Sequence, residues 1–215
     1  MGGVGSNGDT ITVGGGADTV HAGNSSTVTV GAAVTGADDI TVGLVSTVTI
    51  AAGASVAVTV HLGAQSTLNL GAVAGGTEIV DVSATFAGAT SSGSYSFTTI
   101  NGAAHGTGQS IAFDPGGTVE TFTSAATNVA TAVNLSNALD MAARNAGNVS
   151  GPGHATAEWF QFGGNTYIID AFGSATSHTG TVSSDAMQVT DIVVKLAGLI
   201  NLTGDTFGTG HTLTI

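Results

Sequence analysis

The chain contains no cysteine among its 215 residues. It therefore forms no disulfide bond, offers no thiolate ligand to a metal ion and carries out no thiol redox chemistry. No stretch approaches the roughly 18 consecutive apolar residues that a membrane-spanning helix requires. The first ten residues, MGGVGSNGDT, lack the basic and apolar regions of a secretory signal peptide. We expect this chain to be the C-terminal part of a longer protein.

Positive charge is almost missing as well. Lysine and arginine together number 2, Lys195 and Arg144, against 14 aspartates and glutamates, and the net charge is −12. Charged residues make up 7% of the chain, compared with about 25% in a typical globular domain. Nucleic acids and anionic lipids attract basic surfaces, so this composition argues strongly against nucleic-acid binding and against a membrane partner. An acidic chain of this kind tolerates cations and often requires them.

The chain is rich in glycine, with 34 residues, and in apolar side chains, with 42%. In the first third these residues form a short repeat. Segments of four or five residues alternate apolar and polar side chains and then reach a glycine, a pattern that predicts strands separated by turns. The central apolar residues of the seven segments lie 8 to 12 positions apart and are Ile11, Val20, Val28, Ile40, Val48, Val58 and Leu68.

Short strands at near-equal spacing, with no helix between them, predict an all-β fold with a parallel β-roll or β-helix solenoid over residues 1–75. The aliphatic side chains would point inward. Threonines would point outward in rows, which Asn69, Val56 and His21 would interrupt; the threonines are Thr10, Thr12, Thr27, Thr29, Thr47 and Thr49. The alternative is an antiparallel sandwich of short strands, although hairpin turns would not need near-equal spacing.

The stretch GGGADTV, residues 14–20, resembles the G-G-x-G-x-D-x-U-x nonapeptide of RTX proteins, in which U is apolar. In that family, stacked turns share calcium ions through backbone carbonyls and aspartate carboxylates. Calcium takes 6–8 oxygen ligands, and glycine lets carbonyls point inward without steric cost. The resemblance implies degenerate repeats with calcium ligands at Gly5, Asn7, Asp9, Gly14, Gly16, Asp18, Gly36 and Asp38.

The repeats depart from the family pattern in ways that limit the expected number of ions. Asp9 should face the turn before Thr27, where Asn24 and Ser25 replace the usual residues, and Asp18 should face Asp38. Residues 46–70 contain no aspartate. We therefore expect one to three calcium sites near the N-terminus. The alternative is that these aspartates only form turns, as Asx residues often do.

Residues 76–215 are predicted to form a β-rich C-terminal region. Strands are expected within residues 77–83, 95–100, 111–113 and 119–122, a hairpin over residues 158–170 and one or two strands over 191–202. A single amphipathic helix is predicted over residues 124–146, with Ser124 as its N-cap, Arg144 in its last turn and Gly147 as its stop. We expect this helix to cover the open end of the solenoid.

The segments WFQFGGNTYI and DIVVKLAGL, beginning at Trp159 and Asp191, are similar to the C-terminal region of RTX-type surface proteins, including S-layer proteins of Gram-negative bacteria. The similarity implies export by a type I secretion system that reads an uncleaved C-terminal signal, here ending in residues 212–215. It further implies a secreted, extracellular location at the cell surface.

No catalytic motif is evident in the sequence. It has neither an HExxH helix nor a GxSxG elbow, and its glycine-rich turns lack the lysine of a P-loop. The six histidines are scattered, and His21 is expected on an outward strand position. Asp38 and Asp39 are adjacent and should point to opposite faces of a strand. The aromatic residues around Trp159 are expected to form a hairpin core rather than a sugar-binding platform, and we predict that the chain is not an enzyme.

The predicted function is structural: a calcium-stabilised S-layer-type lattice subunit that associates with itself and carries its secretion region at the C-terminus. A cell-surface polysaccharide is a further partner through other parts of a full protein. One alternative is the C-terminal secretion and folding domain of an RTX adhesin or secreted hydrolase. Another is a threonine-faced solenoid that binds ice or another surface.

Overall fold

A computed structural model describes residues 7–32, 35–53, 57–71, 78–85, 96–113, 120–149, 155–171, 187, 191–208 and 211–215. Over these residues the protein is mostly β-structure, with two mixed, parallel-rich sheets and a single helix. The predicted all-β class is therefore confirmed. No helix in the described ranges is long and apolar enough to cross a membrane.

Successive strands in the first half of the chain enter the two sheets alternately. The strands are β1 Thr10–Val13, β2 Thr19–Ala22, β3 Thr27–Val30, β4 Asp38–Val42, β5 Thr47–Ile50, β6 Val58–His61, β7 Thr67–Leu70, β8 Glu78–Asp81, β9 Thr98–Asn101, β10 Ser110–Ala112, β11 Glu120–Phe122, β12 Ala155–Phe162, β13 Asn165–Ala171, β14 Ile192–Leu196 and β15 Thr212–Thr214. The nine-stranded sheet has the order β1-β3-β5-β7-β9-β14-β13-β12-β11, and the six-stranded sheet has the order β15-β10-β8-β6-β4-β2.

The first ten strands pair with one another in parallel. The antiparallel sandwich is therefore wrong for this part of the chain, whereas the seven strands predicted from the repeat are confirmed. Their central aliphatic side chains from Val28 onward are buried, and those of Ile11 and Val20 are partly buried. One apolar core of the chain includes side chains from Val13 to Ile215.

A serine ladder joins the coils of the nine-stranded sheet inside this core. The backbone N–H of Ser26 donates to Oγ of Ser46, and that of Ser46 donates to Oγ of Ser66, both at 3.1 Å. Each serine is 1% exposed. The hydroxyls of Ser46 and Ser66 donate onward to the carbonyls of Gly23 and Gly43. The ladder thus satisfies buried polar groups while it ties each coil to the next.

The remaining strands extend both sheets beyond residue 76. The β12–β13 hairpin turns at Gly163 and Gly164, whose φ angles are 56° and 80°, as the sequence predicted. The predicted domain boundary at residues 75 and 76 stays a prediction, although β8 and β9 join the sheets that contain β6 and β7.

The helix α1 spans Leu135–Val149 rather than the predicted residues 124–146. Its N-cap is Asn134, whose side-chain oxygen accepts a hydrogen bond of 2.8 Å from the N–H of Asn137. The chain before it is held away from a helical conformation, because the N–H of Thr127 donates to the carbonyl of Trp159. Since α1 ends at Val149, its last turn contains no basic residue and the predicted place of Arg144 there is wrong.

The helix lies across one face of β12 and β13 and forms a second, smaller core. Leu139 and Ala142 are buried in this core with Phe160, Tyr167 and Val193. The rings of Phe160 and Tyr167 stack with centroids 5.3 Å apart. The helix thus covers the side of the sheet that, over β1 to β9, carries the outward threonines.

Candidate functional site

Two aspartates of the predicted calcium ligands lie on neighbouring coils of the six-stranded sheet. The register Thr19 to Asp39 places Asp18 directly beside Asp38, as the sequence predicted. The N–H of Asp18 donates to Oδ1 of Asp38 at 3.0 Å, and the N–H of Asp39 donates to the carbonyl of Asp18 at 2.9 Å. Stacking of the turns before β2 and β4 therefore brings two carboxylates to one corner of the fold.

The glycines of these two turns are in close contact. A Cβ atom added to Gly36 would lie 2.5 Å from the carbonyl carbon of Gly16 and still nearer the nitrogen of Ala17. No side chain fits between backbones at this separation. The stacking of the turns thus depends on glycine at position 36 and brings Gly36 close to Gly16.

Asp38 is the residue of this group whose negative charge is least favourable. It is 2% exposed, and its Oδ2 atom has no hydrogen-bond partner within the described part of the chain. Burial raises the pKa of the Asp38 carboxyl, the N–H of Asp18 opposes the rise and the carboxylate of Asp18 adds to it. A cation held between Asp18 and Asp38 would reduce both the desolvation cost and the repulsion, and carboxylate and carbonyl oxygens suit calcium.

Asn7 and Asp9 lie in the turn before β1, the first strand of the nine-stranded sheet, apart from the first pair. The N–H of Asp9 donates to Oγ of Ser26 at 3.3 Å, so Asp9 faces the turn before Thr27, as predicted. The side-chain oxygen of Asn7 accepts from the N–H of Asn24, whose own side-chain oxygen accepts from the N–H of Leu44 at 2.8 Å. These asparagines therefore act as ties between coils.

The eight predicted ligands do not form one centre. Gly16, Asp18, Gly36 and Asp38 come together, whereas Asn7 and Asp9 lie in another turn and bond to Asn24 and Ser26. A Cβ atom added to Gly14 would meet no atom within 4 Å, and Gly5 lies outside the described residues. Across the ranges that the structure describes, no three histidine, aspartate or glutamate side chains are assembled as a metal centre.

Sequence reasoning missed Glu78, a carboxylate buried in the same column as Asp38. The register runs from Asp38 through Val58 to Glu78 across three coils. Glu78 is 0% exposed, and neither carboxylate oxygen has a hydrogen-bond partner among the described residues. Burial raises its pKa. The signal was present in the alternation of Glu78 with Val80, which predicts that both side chains point inward.

The outward face of the nine-stranded sheet carries two registered rows of hydroxyl and amide side chains. His21 does not interrupt them, because it lies on the other sheet, exposed and outward as predicted; Val56 lies outside the described residues. Asn69 continues a row, and its amide nitrogen donates to Oγ1 of Thr49 at 3.2 Å. One row is Thr10, Thr27, Thr47, Thr67 and Thr99; the other is Thr12, Thr29, Thr49, Asn69 and Asn101.

The aromatic side chains of the β12–β13 hairpin are core residues. Trp159, Phe160 and Tyr167 are at most 4% exposed, and the indole N–H of Trp159 donates to the carbonyl of Ser124 at 3.3 Å. A sugar-binding platform needs exposed ring faces. The expectation of an aromatic hairpin core is therefore confirmed.

An open groove of about 550 Å³ lies beside this hairpin. It is lined by residues 126–130, Ala132 and residues 161–163, among which the polar side chains are Thr127, Asn128 and Gln161. None of these lining residues is an acid, a histidine or a lysine. The groove offers no group for acid–base chemistry in the described part of the chain.

The chain matches no protein-family model and has no significant sequence similarity to a curated protein.

Proposed function

We propose that this chain forms a calcium-stabilised parallel β-roll in a structural protein of the cell surface, most specifically an S-layer-type lattice subunit that associates with itself. The observation that carries the proposal is the corner formed by Asp18 and Asp38. There a buried carboxylate oxygen, which has no hydrogen-bond partner among the described residues, lies beside a second aspartate on stacked glycine turns. The low content of basic residues and the RTX-like nonapeptide agree with a cation-dependent, secreted protein.

In this proposal calcium binding contributes directly to folding. Before export, where calcium is scarce, repulsion between Asp18 and Asp38 would leave the first coils weakly stacked. Outside the cell, calcium would join the coils, and its binding free energy would add to the stability of the fold. The chain would then present a rigid solenoid for self-association and would carry no catalytic activity of its own.

Calcium titration of the chelated chain tests this proposal. We expect calcium to raise the unfolding temperature and to saturate, with a stabilisation of about 2.7 kcal/mol at one hundred times the dissociation constant. The variant Asp38→Asn should lose at least about ten-fold in calcium affinity, because it removes the buried ligand charge. Light scattering in the same titration would report ordered assembly.

The neighbouring variant Asp39→Asn is the matched control. Asp39 is exposed on the opposite face of the same strand, so its neutralisation should leave calcium affinity unchanged. A wild-type chain that is fully folded in chelator and indifferent to calcium would overturn the proposal. Equal loss of affinity in both variants would instead indicate a general effect of negative charge.

The registered threonine rows favour a second candidate function, the binding of ice or an ordered water layer. Neighbouring strands place the row members about 4.8 Å apart, and alternate residues of one strand lie roughly 6.6 Å apart. The hydroxyl and methyl groups of such a regular array can order water over a flat area. Five coils contribute to each row, and the residue that continues the first row beyond Thr99 is Lys195.

Ice-recrystallisation and thermal-hysteresis assays test the second function. Replacing Thr47, at the centre of one row, by lysine should abolish an activity that depends on the array. Thr59→Lys is the control, because Thr59 occupies an equivalent strand position on the other sheet. A wild-type chain without either activity, or equal loss in both variants, would rule out this function.

A further inference from the structure

His61 lies between two carboxylates on the outward face of the six-stranded sheet. Its Nδ1 atom is 2.7 Å from Oδ2 of Asp81, and its Nε2 atom is 3.2 Å from Oδ1 of Asp39. Strands β4, β6 and β8 supply one residue each to this group. His61 lies 22 residues after Asp39 and 20 residues before Asp81, so scanning for nearby histidine pairs could not find this group.

The two contacts of His61 differ in character. Asp81 is the more buried carboxylate, with its side chain 13% exposed, and its Oδ1 accepts a hydrogen bond of 2.9 Å from the N–H of Ser83. It is thereby oriented to accept the Nδ1–H of the imidazole. The side chain of Asp39 is 56% exposed. Asp39 and the Nε2 atom of His61 therefore both lie on the solvent side of the group.

A neutral imidazole carries a single N–H. If Nδ1–H donates to Asp81, the unprotonated Nε2 atom lies 3.2 Å from Oδ1 of Asp39, and these two electron-rich atoms repel each other unless a positive species is bound to them. A second proton is one such species, and a divalent metal ion is the other. An imidazole held by a carboxylate at Nδ1 and open at Nε2 is the usual arrangement of a histidine metal ligand.

We propose that His61 and Asp39 bind a divalent transition-metal ion such as Zn²⁺, with Asp81 as the residue that orients the imidazole. Zinc bonds of about 2.0–2.1 Å to nitrogen and oxygen in tetrahedral geometry place two ligand atoms about 3.3 Å apart, close to the 3.2 Å between Nε2 and Oδ1. Water would complete the coordination shell, because the described residues place no third histidine, aspartate or glutamate as a ligand there.

This zinc site differs in both position and chemistry from the calcium site proposed at Asp18 and Asp38. Asp38 points into the core and Asp39 points outward, so the two ions would occupy opposite faces of β4. An imidazole nitrogen selects zinc, copper or nickel, whereas calcium and magnesium prefer oxygen ligands alone. The metal would link the coils that carry β4 and β6.

Isothermal titration calorimetry of the full chain with Zn²⁺, in buffer with excess calcium, tests the proposal. We expect one saturable site. His61→Gln and Asp39→Asn should each weaken binding at least about ten-fold, and Asp81→Asn should weaken it by 10- to 100-fold through loss of imidazole orientation. Cobalt substitution should give the visible absorption of a tetrahedral site, which a purely structural role of His61 would not produce.

His105→Gln is the matched control. His105 also pairs with a carboxylate, at 3.1 Å from Asp205 through Nε2, and this substitution should leave zinc affinity unchanged. Three results would overturn the proposal: no saturable zinc binding, binding that survives His61→Gln, or nitrogen chemical shifts of His61 showing both ring nitrogens protonated with zinc in excess. Circular dichroism of each variant would verify that it folds. The two proposals can fail separately, because Asp38→Asn tests the calcium site and should not change zinc affinity.

Discussion

Replacing Gly63 by alanine should destabilise the protein by about 3 kcal/mol or more. Gly63 is buried where its coil rests on the turn of the coil before it. A Cβ atom there would lie 2.5 Å from the carbonyl carbon and oxygen of Gly43 and 2.8 Å from the nitrogen of Leu44. These are backbone atoms, so relief requires separation of two coils that the serine ladder and the parallel hydrogen bonds hold together.

Denaturant unfolding would measure this effect against Gly14→Ala. Gly14 is exposed, and an added Cβ atom would meet nothing within 4 Å there. This control should change stability by at most about 1 kcal/mol, with a gain more expected than a loss because alanine reduces the freedom of the unfolded chain. Similar losses of stability in the two variants would contradict the close backbone contact between the stacked turns.

Replacing Glu78 by methionine should stabilise the protein at pH 7 by about 2 kcal/mol, within the range found when buried charges give way to apolar groups of similar size. The Glu78 side chain is fully buried beside Val58, with neither carboxylate oxygen bonded among the described residues. Methionine occupies a similar volume and needs no hydrogen bond, so the substitution removes a desolvation cost without creating a cavity.

The gain should depend on pH with a defined sign. Burial raises the pKa of Glu78 above its ordinary value of 4.5. Between the unfolded-state pKa and the raised folded-state pKa, the folded protein binds more protons, so wild-type stability falls as pH rises through this window. The penalty is fully present above the folded-state pKa. The advantage of Glu78→Met should therefore be larger at pH 7 than at pH 4.

Glu158→Met is the matched control, because Glu158 is also fully buried with a raised pKa. Its carboxylate, however, accepts hydrogen bonds from Thr127 at 2.5 Å and from Asn145 at 2.7 and 2.8 Å. Methionine there removes these hydrogen bonds and should cost about 1–3 kcal/mol. Thermal or denaturant unfolding at pH 4 and pH 7 would measure both variants, and destabilisation by Glu78→Met at both pH values would refute the account of Glu78.

The sequence alone determined the strands of the first half and the faces of their side chains. The alternation in segments such as Thr47–Ile50 sets which residues point inward, because the period of a strand is two and only one face can meet the core. The same local rule placed Asp38 and Asp39 on opposite faces and predicted the Gly163-Gly164 turn. In each case neighbours in sequence decide the conformation.

Tertiary structure decided what local pattern could not. Residues 124–134 read as the start of a helix, but a hydrogen bond from Thr127 to Trp159 holds them against β12 and moves the helix start to Leu135. That bond joins residues 32 positions apart, so no local periodicity contains it.

The alignment of side chains across neighbouring coils likewise could not be predicted from the sequence. Glu78 joins the column of Asp38, and His61 meets Asp39 and Asp81, only because parallel stacking aligns residues about one coil apart. The spacing between segments varies from 8 to 12 residues, and turns absorb this variation, so the period does not fix the register. Backbone contacts between stacked turns, made close by glycines such as Gly36 and Gly63, set that register and thereby assemble the candidate sites.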